Sequence, residues 1–324
     1  MIVVRTPLRV SFLGGGSDFS DFYLQHGGAV LSTAIDKFVY VIIQERFDDL
    51  IYINYSQKEI VEVVDDLQHE LVREGMRRTG VTGGVEITTL ADVPSSGTGL
   101  GSSSSVTVGV LQALYAHLGS LVTADVLAEQ ACEIEIDRCG KPIGKQDQYI
   151  ASYGGLRQIS FNIDGSIEVD HVALDEHTLQ RLNRNLMLFY TNRTRSSSTV
   201  LFEQRENIPD RTEILAGLRD LALQGRECLA GGDLDALGRL MHHGWEMKKD
   251  LASGVSNPEL DALYRSARQA GALGGKIAGA GGGGFLLLYC PLGAQDAVRE
   301  ALSHLRELPF TLEREGCCVI FNGR

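Results

Sequence analysis

The segment from Pro94 to Ser105, PSSGTGLGSSSS, constrains this chain more than any other. The preceding GGVEITTLADV alternates polar and apolar residues as a strand does, and the following SVTVGVLQALYAHL has apolar residues at helical spacing. The segment is therefore predicted to be a glycine-rich loop that opens a helix. The first N–H groups of a helix have no partner within it and carry the positive end of its dipole, so we expect this loop to bind phosphate.

The residue types within the loop suit this role. Glycines lack a Cβ atom and let the backbone approach an oxyanion, and serine hydroxyls can cap a helix, bind phosphate oxygens or bind magnesium. Neither common nucleotide fingerprint fits, since no lysine follows Gly101 and Ser102 replaces the third glycine of G-x-G-x-x-G. A turn with a serine cap is the alternative interpretation. We assign nucleotide binding to Pro94, Ser96, Gly97, Gly99, Leu100, Gly101, Ser102, Ser103 and Ser104.

The charge of the chain argues against two classes of partner. Its 324 residues include 42 acidic and 30 basic side chains, a formal net charge of -12. This balance disfavours nonspecific binding to nucleic acid and to anionic membranes, so local cations must attract any anionic substrate. The sequence contains neither a signal peptide pattern nor a long apolar run, and its six cysteines form no C-x-x-C pair. We expect a cytoplasmic protein with reduced thiols and no zinc site.

The order of the elements predicts an α+β protein. The strands of the first third are predicted from IVVRTPLRVSFLG, AVLSTAIDKFVYVIIQER, LIYINY and VEITTLA. Helices over 102–118 and 123–139 and a hairpin turning at Asp164 and Gly165 follow. Because no regular βαβ repeat is present, we predict two domains, residues 1–180 and 181–324. The second begins with the strand NLMLFYT, continues with helices near 196–207, 211–229, 233–249, 257–271 and 293–306, and ends in a strand PFTLERE.

A second glycine-rich segment, KIAGAGGGGFLLLY, contains a literal G-x-G-x-x-G at Gly279, Gly281 and Gly284. A dinucleotide fingerprint opens a helix, whereas FLLLYC after Gly284 has the composition of a buried strand. We therefore predict a bend between two strands whose backbone approaches either another loop of the protein or the phosphates of a nucleotide.

Three further positions carry candidate chemistry. In TADVLAEQACEIEIDRCG the helical spacing places Glu135 on the same face as small apolar residues, and a carboxylate facing inward needs a metal, an arginine or a cleft. Asp147 lies in a polar segment between glycines, where it either acts in function or caps a short helix. Arg9 precedes three glycines and Asp18, a pattern of a turn that faces a ligand or of a hairpin loop with an Asx turn.

The three segments PSSGTGLGSSSS, KIAGAGGGG and RTPLRVSFLGGGSDF together resemble the motifs of the GHMP kinases, the family of galactokinase, homoserine kinase and mevalonate kinase, in order and over nearly the whole chain. The resemblance implies a ribosomal protein S5 domain 2-like N-terminal domain, a ferredoxin-like C-terminal domain and an ATP site between them. Within the family, FLGGGSDF, GKQDQY and YTNRTRSSS are most similar to kinases that phosphorylate C1 of D-glycero-D-manno-heptose 7-phosphate, for activated heptose used in surface polysaccharide. L-fucose kinases are the alternative.

The resemblance also implies roles for individual residues. Ser103, or Ser104, and Glu135 match the Mg²⁺ ligands, Asp147 matches the residue that orients and deprotonates the acceptor hydroxyl, and Arg9 matches the cation beside it. We expect that pairing with Arg9 keeps Asp147 ionised at pH 7. Arginines suit a sugar 7-phosphate, and TNRTR supplies two of them. The residues assigned to the sugar substrate are Gly16, Ser17, Asp18, Lys145, Gln146, Arg193, Arg195, Gly281 and Gly282.

Several alternatives stay open at this stage. Gly15 and Gly16 replace the glutamate and histidine of the first galactokinase motif, which disfavours galactose. A kinase fold retained as a noncatalytic sugar- or nucleotide-binding module is a second interpretation, and a dehydrogenase is a third that the strand after Gly284 disfavours. ATP, Mg²⁺ and a sugar phosphate are the expected ligands, and a homodimer is left open.

Overall fold

The computed structural model of the protein describes residues 1–94, 97–193 and 197–323, so Ser96 and Arg195 lie outside the described residues. The strands are β1 (Ile2–Leu13), β2 (Gly28–Glu45), β3 (Ile51–Asn54), β4 (Lys58–Val61), β5 (Val85–Ala91), β6 (Leu156–Phe161), β7 (Ile167–His171), β8 (Leu186–Tyr190), β9 (Gly274–Ile277), β10 (Phe285–Tyr289), β11 (Arg306–Glu307) and β12 (Cys318–Asn322).

The α-helices of the described part alternate with these strands. They are α1 (Ser20–His26), α2 (Glu70–Thr79), α3 (Ser102–His117), α4 (Ala124–Cys132), α5 (Gln146–Tyr153), α6 (Glu176–Asn185), α7 (Ser197–Glu206), α8 (Thr212–Ala230), α9 (Leu234–Lys248), α10 (Pro258–Gln269) and α11 (Gln295–Ala301). A π-helical stretch, Glu133–Arg138, continues α4.

Two sheets organise these elements. The larger has the strand order β12-β1-β2-β5-β3-β4, with β6 paired to β2 and β7 to β6, and the smaller has the order β11-β8-β10-β9. All pairings are antiparallel except β3 with β5. The 18 residues of β2 allow its first part to pair with β6 and its last part with β5. Both α3 and α8 pack against β1 and β2, which buries the second half of β1 completely.

The predicted α+β class and the interleaved helices and strands are confirmed, including the hairpin turn, where Gly165 has a φ of 87°. The final strand predicted over PFTLERE is wrong. These residues lie beside the middle of β2 and form backbone hydrogen bonds to it, such as the one from the Asp36 amide to the Thr311 carbonyl. They form an isolated bridge between Ile35 and Leu312 but no strand. The last strand is instead β12, which pairs with β1. A division after residue 180 therefore leaves one strand of the larger sheet in the second unit.

Candidate active site

A cavity lies where β1, the N-termini of α3 and α5, the end of α9 and the bend between β9 and β10 meet. Residues from both halves of the chain line it, as the predicted position between two domains requires. The predicted residues among its lining are Arg9, Gly16, Asp18, Gly97, Gly99, Gly101, Ser102, Ser103, Ser104, Glu135, Gln146, Asp147 and Gly281.

A bidentate ion pair between Arg9 and Asp147 lines the cavity. Arg9 on β1 donates from Nε to Oδ1 of Asp147 and from a terminal nitrogen to Oδ2, both at 2.7 Å. Arg9 is only 5% exposed, and a second terminal nitrogen donates to the carbonyl of Gly99. Both carboxylate oxygens of Asp147 thus face Arg9 beside the glycine-rich loop that opens α3, and α5 has no side-chain cap. This geometry fixes the carboxylate in the cavity.

The two glycine-rich segments pack directly against each other. Gly99 and Gly279 have φ values of 74° and 66°, and a Cβ on Gly99 would lie 2.3 Å from the carbonyl oxygen of Ala278. The Phe285 amide donates to the Thr98 carbonyl at 3.3 Å. Of the two partners predicted for the second segment, another loop is therefore the one observed. The first segment keeps its helix-opening geometry, with Gly101 in the left-handed region preceding α3.

Two groups suited to a metal, Ser103 and Glu135, line the cavity together with Lys141. We call these three residues and Gln148, which donates to Glu135, the donor end. Glu135 is fully buried, as its spacing predicts, and lies in the π-helical stretch. Its Oε1 accepts from Ser103 Oγ at 2.6 Å and its Oε2 from Gln148 Nε2 at 2.7 Å. The Lys141 ammonium donates to Ser103 Oγ at 2.9 Å and lies 3.4 Å from Glu135 Oε1. A cation therefore already bridges the serine and the glutamate.

This donor set fits Mg²⁺ bound together with a nucleotide. The described residues contain no cluster of three or more acidic, histidine or cysteine side chains placed for a metal. Mg²⁺, however, commonly binds through one or two protein oxygens, with water and substrate phosphates completing its shell. A hydroxyl and a carboxylate 2.6 Å apart beside a phosphate loop provide such oxygens.

Polar groups at the opposite end, which we call the acceptor end (Ser11, Asp18, Gln146, Lys248 and Lys276), are less completely satisfied. Asp18 is 2% exposed and accepts from the Gly16 amide at 2.9 Å and from Gln146 Nε2 at 3.0 Å. Ser11 Oγ and Gln146 Oε1 are buried and have no hydrogen-bond partner among the described residues. Buried polar atoms are almost always hydrogen-bonded to protein or water, so these two are available to bind a polar ligand or a water molecule.

The two lysines of the acceptor end were not predicted from the sequence. Lys248 is 6% exposed and donates to the Gly279 carbonyl at 2.7 Å, and Lys276 is 5% exposed. Burial lowers the pKa of Lys248 to about 8 and lowers the pKa of Lys276 well below its usual value. A signal existed for each: Lys248 continues the apolar stripe of Leu237, Met241 and Trp245 on α9, and Lys276 interrupts a buried strand.

Other predicted residues lie outside the cavity lining. The Ser17 hydroxyl bonds to the Gly14 and Ala29 carbonyls and thereby holds the loop after β1. Lys145 instead places its ammonium 5.5 Å from the ring centre of Tyr23. Arg193 forms an ion pair with Glu259 and is half exposed.

Three more predicted residues, Leu100, Gly282 and Pro94, also lie outside the cavity lining. Leu100 is fully buried and its carbonyl accepts from the Arg9 amide. The Gly282 amide donates to Val255 O, and Pro94 lines a separate cavity beside Val39, Tyr55 and His69.

Two family profiles match the chain. The profile of the GHMP kinases N terminal domain matches residues 52–155, and that of the GHMP kinases C terminal domain matches residues 226–306. The chain belongs to the GHMP kinase family. Its motifs and the order of its elements are those the resemblance predicted, and kinases of this family use ATP.

Relatives narrow the reaction class. The D-glycero-alpha-D-manno-heptose 7-phosphate kinase of Campylobacter jejuni is 27% identical, over 96% of this chain and 97% of that protein. A bifunctional fucokinase/GDP-fucose pyrophosphorylase of Arabidopsis thaliana is 28% identical over 94% of this chain but 30% of its own length. The structure of a putative sugar kinase from Campylobacter jejuni aligns with a TM-score of 0.80 at 27% identity, covering 98% of this chain and 97% of that one. The chain is accordingly a sugar kinase that transfers a phosphoryl group to an alcohol.

Two further expectations concern cysteines and membranes. All six cysteines are free thiols. Within the described residues, no helix combines the length and the apolar character needed to cross a bilayer.

Proposed function

We propose that this GHMP kinase transfers the γ-phosphoryl group of ATP to the anomeric C1 hydroxyl of D-glycero-D-manno-heptose 7-phosphate, giving the 1,7-bisphosphate. The observation that carries the proposal is the Arg9–Asp147 pair, held at 2.7 Å inside a cavity bounded by the phosphate loop. The substrate is inferred from the 27% identity to a heptose 7-phosphate kinase over nearly the full length of both chains.

In the proposed reaction Asp147 accepts the proton of the C1 hydroxyl. The hydroxyl oxygen then forms a bond to the γ-phosphorus while the bond to the β–γ bridging oxygen breaks and ADP leaves. Arg9 holds both oxygens of Asp147, so the carboxylate is fixed before the sugar binds. Asp18 and Gln146, joined at 3.0 Å, would bind sugar hydroxyls beside the unpartnered Ser11 hydroxyl.

The donor end would hold the nucleotide phosphates. Backbone N–H groups at the start of α3 supply donors for phosphate oxygens, and glycines at 99 and 101 let the chain come close. Ser103 and Glu135 would hold Mg²⁺, which when bound neutralises the charge on the phosphates.

A free-sugar kinase acting on L-fucose is the second candidate, favoured by the 28% identity to the fucokinase-containing enzyme. A panel assay separates the two: ADP release from ATP·Mg²⁺ is measured with D-glycero-D-manno-heptose 7-phosphate, the same heptose unphosphorylated, L-fucose, D-galactose and mevalonate.

We expect the highest kcat/KM with the heptose 7-phosphate, and a product whose new phosphorus signal couples to the proton on C1. Asp147→Asn serves as the inactive control. A higher kcat/KM with L-fucose than with the heptose 7-phosphate would refute the proposal.

A further inference from the structure

The charges of the cavity leave an excess of positive charge at the acceptor end. Arg9 and Asp147 neutralise each other through two hydrogen bonds, and Lys141 lies against Glu135. Among the described lining residues this leaves Asp18 as the carboxylate facing two buried ammonium groups.

Neither lysine of the acceptor end has an anionic hydrogen-bond partner in the described structure. The Lys248 ammonium donates a hydrogen bond to the neutral carbonyl of Gly279. For the Lys276 ammonium no hydrogen bond or ion pair is found within residues 1–94, 97–193 and 197–323. Removing a cation from water costs several kcal/mol unless an anion compensates. Both side chains line the cavity, so a bound ligand can supply that anion.

We propose that Lys248 and Lys276 form a phosphate subsite that binds the distal phosphate of the sugar substrate. This inference rests on the proposed function, because it assigns residues to the 7-phosphate of the heptose. A phosphate monoester carries close to two negative charges at pH 7, which matches two ammonium groups that have no anionic hydrogen-bond partner.

The position of the pair favours the sugar phosphate over the γ-phosphate of ATP. A Cβ built on Gly15 would lie 3.8 Å from Lys248 Nζ, 3.8 Å from Ser11 Oγ and 3.4 Å from Gln146 Nε2. The Lys248 ammonium therefore belongs with the groups proposed to bind the sugar. The helix N-terminus and Ser103, which would bind the nucleotide, lie on α3, and none of the three atoms nearest to that Cβ belongs to α3.

The same geometry favours the two lysines over Arg193, one of the two arginines predicted for this role. The guanidinium of Arg193 is paired with Glu259, is half exposed and lies outside the cavity lining. Lys248 comes from α9 and Lys276 from β9, so the proposed subsite belongs to the second half of the chain.

Binding measured without turnover tests the subsite. The protein is saturated with Mg²⁺ and a nonhydrolysable ATP analogue, and heptose 7-phosphate and unphosphorylated heptose are titrated by calorimetry. Loss of one charged hydrogen bond corresponds to roughly 10- to 150-fold in affinity. We expect Lys248→Met and Lys276→Met each to lower the affinity for heptose 7-phosphate by about that factor. The affinity for unphosphorylated heptose should change less than threefold.

Two further variants separate charge from folding. Lys276→Arg keeps a cation and should retain part of the preference for the phosphorylated sugar. Lys249→Met removes the neighbouring lysine of the same helix end, which pairs with Glu246 at 2.7 Å and does not line the cavity, and should leave the preference unchanged. Because the buried lysines cost stability in the empty protein, both methionine variants should unfold at the same temperature as the wild type or higher.

Failure of this inference can be distinguished from failure of the heptose assignment. If the wild type prefers another phosphorylated sugar over its unphosphorylated parent, and the methionine variants lose that preference, the heptose assignment fails and the phosphate subsite stands. If a methionine variant lowers the affinity for the phosphorylated and the unphosphorylated sugar equally, its lysine acts on the γ-phosphate or has a structural role. That result overturns the proposed subsite. No preference for any phosphorylated sugar in the wild type also overturns it.

Discussion

The donor and acceptor ends of the cavity differ in how far the protein balances its own charges. At the donor end Glu135 accepts from Ser103 and Gln148, and Lys141 supplies a cation. At the acceptor end the buried Ser11 Oγ and Gln146 Oε1 have no partner in the described structure. Gln148 Oε1 at the donor end also lacks a partner, so the two ends differ mainly in charge. The carboxylate of the donor end has a cation beside it, whereas the two lysines of the acceptor end have no anionic hydrogen-bond partner in the described structure.

The origin of each end explains this difference. The residues of the donor end come from α3, the π-helical stretch, the loop after it and α5, all within the first half of the chain. The acceptor end combines β1, the turn after it and α5 with α9 and β9 of the second half. In the proposed roles, the groups for the nucleotide are thus arranged by local packing, whereas the groups for the sugar are assembled from distant segments.

The largest effect is expected at Asp147, where the two ends meet. Asp147→Asn removes the proton acceptor and one charge of the Arg9 pair, so kcat should fall by about three to four orders of magnitude. Binding of ATP, measured by calorimetry, should change little because the phosphate loop is intact. Turnover within threefold of the wild type in a folded variant would exclude Asp147 from the mechanism.

Gly99 tests whether the two glycine-rich segments hold the donor end in place. A Cβ at this position would lie 2.3 Å from the Ala278 carbonyl, in addition to the strain of a φ of 74°. Gly99→Ala should lower the free energy of unfolding by about 3 kcal/mol or more and raise the KM for ATP.

The matched control for Gly99 is Gly119. It has a φ of 72° with no atom within 4 Å of the added Cβ, so Gly119→Ala should cost only about 1 kcal/mol. Urea denaturation measures both variants. Equal losses would show that backbone strain alone, and not the contact between the segments, accounts for the effect.

The glycine-rich loop that opens α3, the inward position of Glu135 and the pairing of Arg9 with Asp147 could be predicted because each follows from local spacing or from a motif. Burial of lysines could not be assigned in the same way. A lysine at the end of an amphipathic helix usually extends to solvent, whereas the packing of α9 against β9 and β1, which the sequence does not reveal, encloses Lys248.

Arg193 illustrates the opposite situation, a residue predicted for the site that lies outside the cavity lining. It follows a strand in a segment rich in hydroxyl residues, which suits a ligand site, yet its partner is Glu259, a residue 66 positions later in the sequence. The return of β12 to β1 has the same cause, since a short strand pattern does not specify which sheet it joins.

Lys248 gives the acceptor end a dependence of stability on pH. With a native pKa of about 8 and an ordinary value of 10.5, the unfolded chain binds the proton between these values and the native protein does not. The contribution of Lys248 to the free energy of unfolding therefore rises as the pH increases from about 8 to 10.5, and this gain is lost as the pH falls back to 8. The facing charges are Asp18, Arg9, Asp147 and Lys276.

Removing the lysine isolates this contribution. The free energy of unfolding of the wild type minus that of Lys248→Met should become more positive by roughly 2 to 3 kcal/mol between pH 7 and pH 10. Lys249→Met should show no such change, because that lysine is partly exposed and paired with Glu246. The same difference at both pH values would indicate that Lys248 is not desolvated.

Glu135 sharpens the comparison from the donor side. Glu135→Gln keeps the shape of the side chain and its hydrogen bonds to Ser103 but removes the charge. The Mg²⁺ concentration for half-maximal rate should rise by roughly 10- to 100-fold, the range seen when support for a metal site is lost. An unchanged Mg²⁺ requirement would leave Glu135 as a structural carboxylate that orients Gln148.

The smallest effect is expected at Lys141, and its sign tests whether this lysine occupies the place of the metal ion at the donor end. The ammonium lies 2.9 Å from Ser103 Oγ and 3.4 Å from Glu135 Oε1, the oxygens assigned to Mg²⁺. If Lys141 and Mg²⁺ compete, Lys141→Met should lower the half-saturating Mg²⁺ concentration by about two- to fivefold, since a partly exposed ion pair contributes roughly 0.5–1 kcal/mol. Binding of Mg²⁺ with a nonhydrolysable ATP analogue, measured by calorimetry, gives the constant without turnover. A higher Mg²⁺ requirement, or a higher KM for ATP at saturating Mg²⁺, would instead show that the ammonium moves to the nucleotide phosphates and assists the metal.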